Sequence, residues 1–161
     1  MAGIKTNAVR LLEVNKIKYN IKEYEAPQGF LDGLSVAKAT GMDPKRVFKT
    51  LVLQGSSKEH YVCVIPVDCE LDLKKAAKHF GEKKIEMILA RDITKVTGYI
   101  KGGCSPVGMK KQFKTAIDES AANFENIVVS AGKVGLQMDV RVDDLLNLID
   151  ADLVGLIINK E

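Results

Sequence analysis

The stretch Thr97-Gly98-Tyr99-Ile100-Lys101-Gly102-Gly103-Cys104-Ser105-Pro106-Val107-Gly108 decides how the rest of the chain is interpreted. It contains four of the thirteen glycines and one of the four prolines, and both residue types break helices. Adjacent glycines let backbone N–H groups approach a ligand closely, and an array of such donors suits a phosphate or a developing oxyanion. A tight turn between two elements fits the residue types equally well, so both interpretations stay open at this point.

The composition indicates a globular protein that forms a single domain over residues 1–161. Of its 161 residues 46% are hydrophobic and 28% are charged, and the net charge of +3 is compatible with a polyanionic partner without requiring one. Cys63, Cys69 and Cys104 are odd in number and lack metal-ligand spacing, which favours a reducing compartment over a disulfide framework or a zinc site. No apolar run has the length of a membrane span, and no signal-peptide core follows the N-terminus. We therefore expect a cytoplasmic protein without membrane contact, metal or cofactor.

Hydrophobic periodicity predicts an α/β fold with a mixed, partly antiparallel sheet of about seven strands surrounded by helices. Apolar runs at 49–53 and 60–67 predict a hairpin at the centre of the sheet. Residues 71–80 have the pattern of an amphipathic helix that ends at a glycine. Asp43 and Pro44 predict a helix start, and residues 131–133 predict a turn.

No protein nucleophile accompanies the glycine-rich stretch. Ser105 is not part of a Gly-x-Ser-x-Gly elbow, and the two histidines of the chain lack the context of a pair with Ser105 or Cys104. The phosphate-binding and dinucleotide-binding glycine motifs are also absent. Either the stretch only binds a ligand, or the nucleophile is water or part of the substrate. Lys49 stands where a polar turn meets a predicted central strand, which makes it a better site candidate than a solvated surface lysine.

Four separated segments resemble the bacterial YbaK-type Cys-tRNA(Pro) deacylases, which are relatives of the editing domain inserted in bacterial prolyl-tRNA synthetases. The segments are 47–51, 71–78, 97–108 with Lys110 and Lys111, and 129–136. They occur in the order of the family and span nearly the whole chain. The resemblance implies the YbaK fold and a free-standing trans-editing enzyme that removes cysteine from tRNA(Pro). Its expected partner is the acceptor end of a mischarged tRNA, and the sequence leaves open whether prolyl-tRNA synthetase is a second one.

The same resemblance implies a mechanism. In this family the thiol of the esterified cysteine is thought to attack its own carbonyl and release a thiolactone, which would explain the missing protein nucleophile. The protein would then position the ester and stabilise the oxyanion.

Carried over position by position, the resemblance implies nine site residues. Lys49 matches the essential lysine of the family, and Gly102, Gly103 and Ser105 would place N–H groups and a hydroxyl near the carbonyl. The substrate-binding positions are Tyr24, Phe30, Ser130, Gly132 and Gln137.

Several alternatives remain open in the sequence. Gln137 stands where cysteine-specific relatives carry an aspartate, which leaves an Ala-tRNA(Pro) deacylase as an alternative, together with a tRNA- or nucleotide-binding module without catalysis. A hydrolase of a small acylated metabolite is a third alternative. Lys74, Lys75 and Lys78 on the predicted helix are either a solvated face or contacts to RNA phosphates, supplemented by Lys83 and Lys84.

Overall fold

The structure is a computed structural model that describes residues 5–24, 37 and 41–158. This part of the chain forms two β-sheets and four α-helices, with short 3-10 turns at Ala90–Asp92 and Glu119–Asn123. The helices are α1 (Asn7–Val14), α2 (Leu73–Phe80), α3 (Ile93–Thr97) and α4 (Val142–Ile149). The strands are β1 (Tyr19–Glu23), β2 (Phe48–Gly55), β3 (His60–Pro66), β4 (Ile85–Met87), β5 (Lys114–Asp118), β6 (Asn126–Lys133), β7 (Leu136–Arg141) and β8 (Asp152–Val154).

The two sheets differ in strand direction. The three-stranded sheet has the order β1-β7-β6 and is antiparallel throughout. The five-stranded sheet has the order β4-β2-β3-β5-β8, in which β2 is antiparallel to β3 and β4, whereas β3, β5 and β8 are parallel. The predicted mixed, partly antiparallel α/β fold is confirmed, with its strands divided between two sheets.

The segment before β2 joins the two sheets. Val47 forms a parallel bridge with Val128 of β6, and the Val128 N–H donates to the Arg46 carbonyl at 3.0 Å. The Arg46 guanidinium also contacts the Asp139 carboxylate of β7 at 3.0 Å. The beginning of β2 is therefore held alongside β6, and the residues that follow in each strand stay close together.

The main hydrophobic core lies under α1 and α4. Leu12 of α1 and Leu145 of α4 are fully buried, and they share this core with Phe48 of β2 and Val129 of β6. Because side chains alternate along a strand, the residues that follow Phe48 and Val129 face the opposite side of their sheets. That opposite side carries Lys49 and Ser130, together with the smaller cluster that contains Val47 and Val128 and the core beneath α2.

Helix α2 follows directly from local capping signals. The Asp72 carboxylate accepts the N–H groups of Lys74 and Lys75 at its N-terminus, and Gly81 ends the helix with φ +74°. Its buried face presents Ala76 and Ala77 to the five-stranded sheet. The predicted amphipathic helix with a terminal glycine is confirmed.

Two local predictions were wrong. Asp43 and Pro44 begin a single turn, closed by the Arg46 N–H on the Asp43 carbonyl, and no helix follows because Val47 is recruited into the bridge with β6. Residues 131–133 belong to β6, which continues through a register shift between Ser130 and Lys133. Gly132 has φ +98°, so it accommodates this bulge without the strain that a side chain would meet.

Candidate functional site

Several predicted site residues converge on the tip of the β6–β7 hairpin. The name β6–β7 turn is used here for this tip, which comprises the bulged end of β6 (residues 130–133) and the turn residues 134 and 135. Tyr24, at the end of β1, donates its N–H to the Gly135 carbonyl at 3.0 Å. Gly103 of the glycine-rich stretch packs against the backbone of Lys133 and Val134. Three predicted site segments that are far apart in sequence therefore meet at one end of the antiparallel sheet.

Lys49 reaches the same place from the five-stranded sheet. It lies two residues beyond Val47 on β2, while Ser130 lies two residues beyond the bridge partner Val128 on β6. Because this bridge is parallel and side chains alternate along each strand, Lys49 and Ser130 leave it in the same direction and on the same face. At about 3.3 Å per residue, Lys133 lies roughly 10 Å further along β6. The bridge thus places Lys49 near Ser130, where the β6–β7 turn begins, and the glycine-rich stretch packs against the far end of that turn at Lys133 and Val134.

The glycine-rich stretch is held rigid by Thr97 and Tyr99. The Thr97 hydroxyl accepts the Tyr99 N–H at 3.0 Å, and the buried Tyr99 hydroxyl donates to the Val107 carbonyl at 2.6 Å. Burial raises the pKa of Tyr99 to about 12, so the phenol keeps this proton at physiological pH. Gly132 packs against the Tyr99 ring, where a Cβ would lie 2.8 Å from its Cε1 atom. The loop is therefore fixed by its own hydrogen bonds and packs against the β6–β7 turn.

Gly103 supports the loop through its own contacts. Its N–H donates to the Ile100 carbonyl at 3.0 Å, closing a tight turn in which Gly102 has φ +85°. A Cβ on Gly103 would lie 2.9 Å from the Val134 nitrogen. In this conformation Gly103 shapes the loop and brings it against the turn, and its N–H already has an acceptor.

The N–H groups of Gly102 and Cys104 are available as donors to a ligand. Across the described ranges, no hydrogen bond occupies the N–H of Gly102, Cys104 or Ser105. Gly102 is exposed and Cys104 is half-buried. Unpaired backbone donors that are fixed in a rigid turn are suited to a developing negative charge on oxygen.

The side chains of Ser105 and Cys104 lack the exposure and the lowered pKa that a catalytic nucleophile needs. Ser105 is fully buried, and its Oγ accepts the Val107 N–H at 3.2 Å, so the hydroxyl stabilises the loop. Its contact with substrate stays a prediction. Burial raises the pKa of the Cys104 thiol to about 11, which leaves little thiolate at neutral pH.

Gln137 brings an unpaired acceptor to this end of the sheet. It lies on β7 between Ser130 of β6 and Lys22 of β1, and it is only 7% exposed. Its Oε1 accepts no hydrogen bond from the described residues. Ser130 Oγ accepts the Gly132 N–H at 3.1 Å and retains its own proton for donation. A buried acceptor without a donor is costly, so the position favours a ligand that supplies one.

Not every predicted site residue can be located, and the sequence missed others. Phe30 lies outside the described residues. The loop-supporting contacts of Thr97 and Tyr99 were not predicted, although a hydroxyl-bearing aromatic residue between glycines is a signal that could have suggested them. In the described ranges no group of three His, Cys, Asp or Glu side chains is arranged to bind a metal ion. The same ranges contain no helix long and apolar enough to cross a membrane.

Comparison with known proteins gives consistent matches. The family model for the aminoacyl-tRNA editing domain matches residues 34–148. An Enterococcus faecalis protein provisionally named Cys-tRNA(Pro)/Cys-tRNA(Cys) deacylase EbsC is 46% identical over 144 residues, covering 89% of this chain and 88% of the relative. A proline–tRNA ligase from Brachyspira hyodysenteriae is 24% identical over 149 residues, which cover 80% of this chain and 26% of the ligase.

A solved structure supports the fold. The crystal structure of a protein provisionally described as a trans-editing enzyme for prolyl tRNA synthetase superposes with a TM-score of 0.82 at 22% identity, covering 98% of this chain and 100% of the other. At that identity the likeness concerns the fold.

Proposed function

Since the chain belongs to the aminoacyl-tRNA editing domain family, we propose that it is an aminoacyl-tRNA deacylase that removes cysteine from mischarged tRNA(Pro). The Enterococcus faecalis relative, at 46% identity, is named for this substrate. Such an activity is needed because a pocket that accepts proline cannot reject a residue of similar size strongly; one methylene changes binding by only about 1–3 kcal/mol.

The observation that carries the proposal is the rigid loop with unpaired N–H groups, packed on the same β6–β7 turn that Lys49 approaches from β2. The N–H groups of Gly102 and Cys104 are the donors we assign to the oxyanion that forms at the ester carbonyl. Lys49, near the start of the β6–β7 turn, would contact the terminal adenosine or its phosphate and steady the ester. Gly103 places the loop, and Ser105 holds it closed.

The aminoacyl group would be recognised beside Gln137. Its Oε1, buried and unpaired among the described residues, fits the α-ammonium group of the substrate, which can donate a hydrogen bond to it. Ser130 lies beside this position on β6, Tyr24 is bound to Gly135 two residues before it, and Gly132 keeps the turn open beside Tyr99. Phe30 remains a predicted wall of the pocket from the sequence.

The nucleophile in this proposal is the thiol of the substrate. Its sulfur attacks the ester carbonyl, the bond from the carbonyl carbon to the ribose oxygen breaks, and the ribose oxygen takes up the thiol proton. The products are a cysteine thiolactone and tRNA with a free terminal hydroxyl. This route needs no catalytic serine or cysteine, in agreement with the buried Ser105 and the raised pKa of Cys104.

The test is to incubate the purified protein with Cys-tRNA(Pro), Ala-tRNA(Pro) and Pro-tRNA(Pro) and to follow loss of the ester. We expect rapid loss of cysteine, slow loss of alanine and no loss of proline. Equal rates for cysteine and alanine would contradict the thiol mechanism while leaving deacylation intact. No acceleration over buffer for either would contradict the proposed function.

A further inference from the structure

We propose that Lys74, Lys78 and Lys83, named here the α2 lysine strip, bind the phosphates of the tRNA acceptor arm while the aminoacyl end occupies the site beside Lys49. The inference rests on the proposed function and assigns the surface along which its RNA substrate lies.

The strip is an exposed row on the outer side of α2. Lys74 and Lys78 are separated by one helical turn, roughly 6 Å along the axis, and both are exposed. The opposite side of the helix buries Ala76 and Ala77. Lys83 is exposed just beyond the glycine that ends the helix. Lys74 and Lys78 therefore share one side of α2, and Lys83 adds a third exposed ammonium group just beyond its end.

These ammonium groups are not neutralised within the protein. In the described part of the chain, no carboxylate forms an ion pair with Lys74, Lys78 or Lys83. The lysines beside them behave differently, since Lys75 donates to the Ile157 carbonyl at 2.8 Å and Lys84 pairs with Glu86 at 3.1 Å.

The carboxylates that flank α2 in the sequence also have other partners. Glu82 accepts hydrogen bonds from the hydroxyl groups of Tyr61 and Ser57, and Asp72 accepts two backbone N–H groups at the start of α2. The strip consequently presents positive charge to solvent.

The strip begins at the Lys49 end of the sheet. Lys49 is paired with Ile65 near the end of β3, and the chain then turns within a few residues into Asp72 and α2. The helix runs back along β3 until the Phe80 ring stacks on Tyr61, with 4.4 Å between the ring centroids. Helix α2 is about 12 Å long. An RNA strand that leaves the Lys49 site along this helix would meet Lys74 and Lys78 first and Lys83 just beyond the end of the helix.

The chemistry of the strip favours a phosphodiester backbone. Lysine binds phosphate as a point charge and needs no particular base, so a row of lysines suits a substrate recognised by its backbone. Each lysine–phosphate contact releases a bound cation from the RNA. At 0.1 M salt, one contact therefore raises the affinity by a factor of about five to eight relative to 1 M salt.

The experiment compares two double variants with equal loss of charge. Lys74→Gln with Lys78→Gln removes two residues of the strip, whereas Lys16→Gln with Lys18→Gln removes two exposed lysines at the turn between α1 and β1. Each is measured for kcat and KM on Cys-tRNA(Pro) and on the cysteinyl ester of adenosine, which has no phosphate. Binding of uncharged tRNA(Pro) is measured by fluorescence anisotropy between 50 and 200 mM salt, roughly the range over which counterion release is strong.

We expect the strip variant to raise KM for Cys-tRNA(Pro) roughly 25- to 60-fold at 0.1 M salt with kcat unchanged. It should reduce the slope of log affinity against log salt by about 1.4–1.8 and leave the adenosine ester unaffected. The control variant should match the unsubstituted protein. Equal tRNA affinities and salt slopes for the two double variants would overturn the proposal that the α2 lysine strip binds tRNA. If tRNA binds tightly and depends on the strip, but neither ester is turned over, the proposed function is overturned and the role of the strip in tRNA binding is retained.

Discussion

Substitution of Gly103 by alanine tests whether the close contact between the glycine-rich loop and the β6–β7 turn positions the site. The added Cβ would lie 2.9 Å from the Val134 nitrogen and 3.0 Å from the Lys133 carbonyl carbon, whereas ordinary contacts are 3.4–4 Å. Both neighbours are backbone atoms within a paired hairpin, so they cannot rotate away as a side chain would. The loop and the turn must therefore separate by roughly 0.5 Å.

The size of the effect follows from that displacement. Overpacking of this kind costs about 1–3 kcal/mol in the free energy of unfolding, and each kcal/mol lowers Tm by about 2–4 °C for a chain of this length. A misplacement of 1 Å in a catalytic group can cost about 100-fold in rate, so half that displacement should lower kcat/KM for Cys-tRNA(Pro) on the order of tenfold.

The matched control is Gly155→Ala. Its Cβ would lie 3.1 Å from a carboxylate oxygen of Glu119, whose exposed side chain can move aside. Calorimetry gives Tm, and single-turnover deacylation gives the rate. If Gly103→Ala behaves as Gly155→Ala does in both measurements, the contact does not position the site and the reasoning is refuted.

Two further substitutions test the interior of the loop. Tyr99→Phe removes the donor to the buried Val107 carbonyl, so we expect a loss of about 1–3 kcal/mol in urea unfolding; an unchanged midpoint would contradict this. Burial raises the pKa of Cys104 from 9.0 to about 11, so its contribution to stability is complete below about pH 9 and is lost as pH rises through 11. Cys104→Ala should flatten that part of the stability profile and keep the deacylation rate within about twofold, whereas loss of turnover would identify a nucleophile.

The sequence predicted the parts of the site that depend on local signals. The run around Lys49 has strand periodicity after a polar turn, and the structure places it in β2. The glycine-rich stretch forms a rigid turn because Gly98, Gly102 and Gly108 take positive φ, which only glycine adopts at low cost. The cap and terminal glycine of α2 are equally local, and that helix was predicted closely.

The differences arise where distant residues decide the outcome. Nothing in the local sequence indicates that Gly103 packs against Val134, some thirty positions further along the chain. Val47 joins β6 in place of a helix because Val128 provides a partner. In the same way Lys75 is bound to the Ile157 carbonyl while Lys74 remains in solvent. Periodicity and capping rules contain no information on such contacts.

The most direct test of the site measures single-turnover deacylation of Cys-tRNA(Pro) by the unsubstituted protein and by Lys49→Ala. The account predicts rapid release of cysteine by the unsubstituted protein. Lys49→Ala should lower the deacylation rate on the order of 100-fold, because it removes the proposed positioning contact to the substrate. Tm should be unchanged, because the Lys49 side chain is only half-buried. Full activity in Lys49→Ala would contradict the assigned site, and no cysteine release by the unsubstituted protein would contradict the proposed function itself.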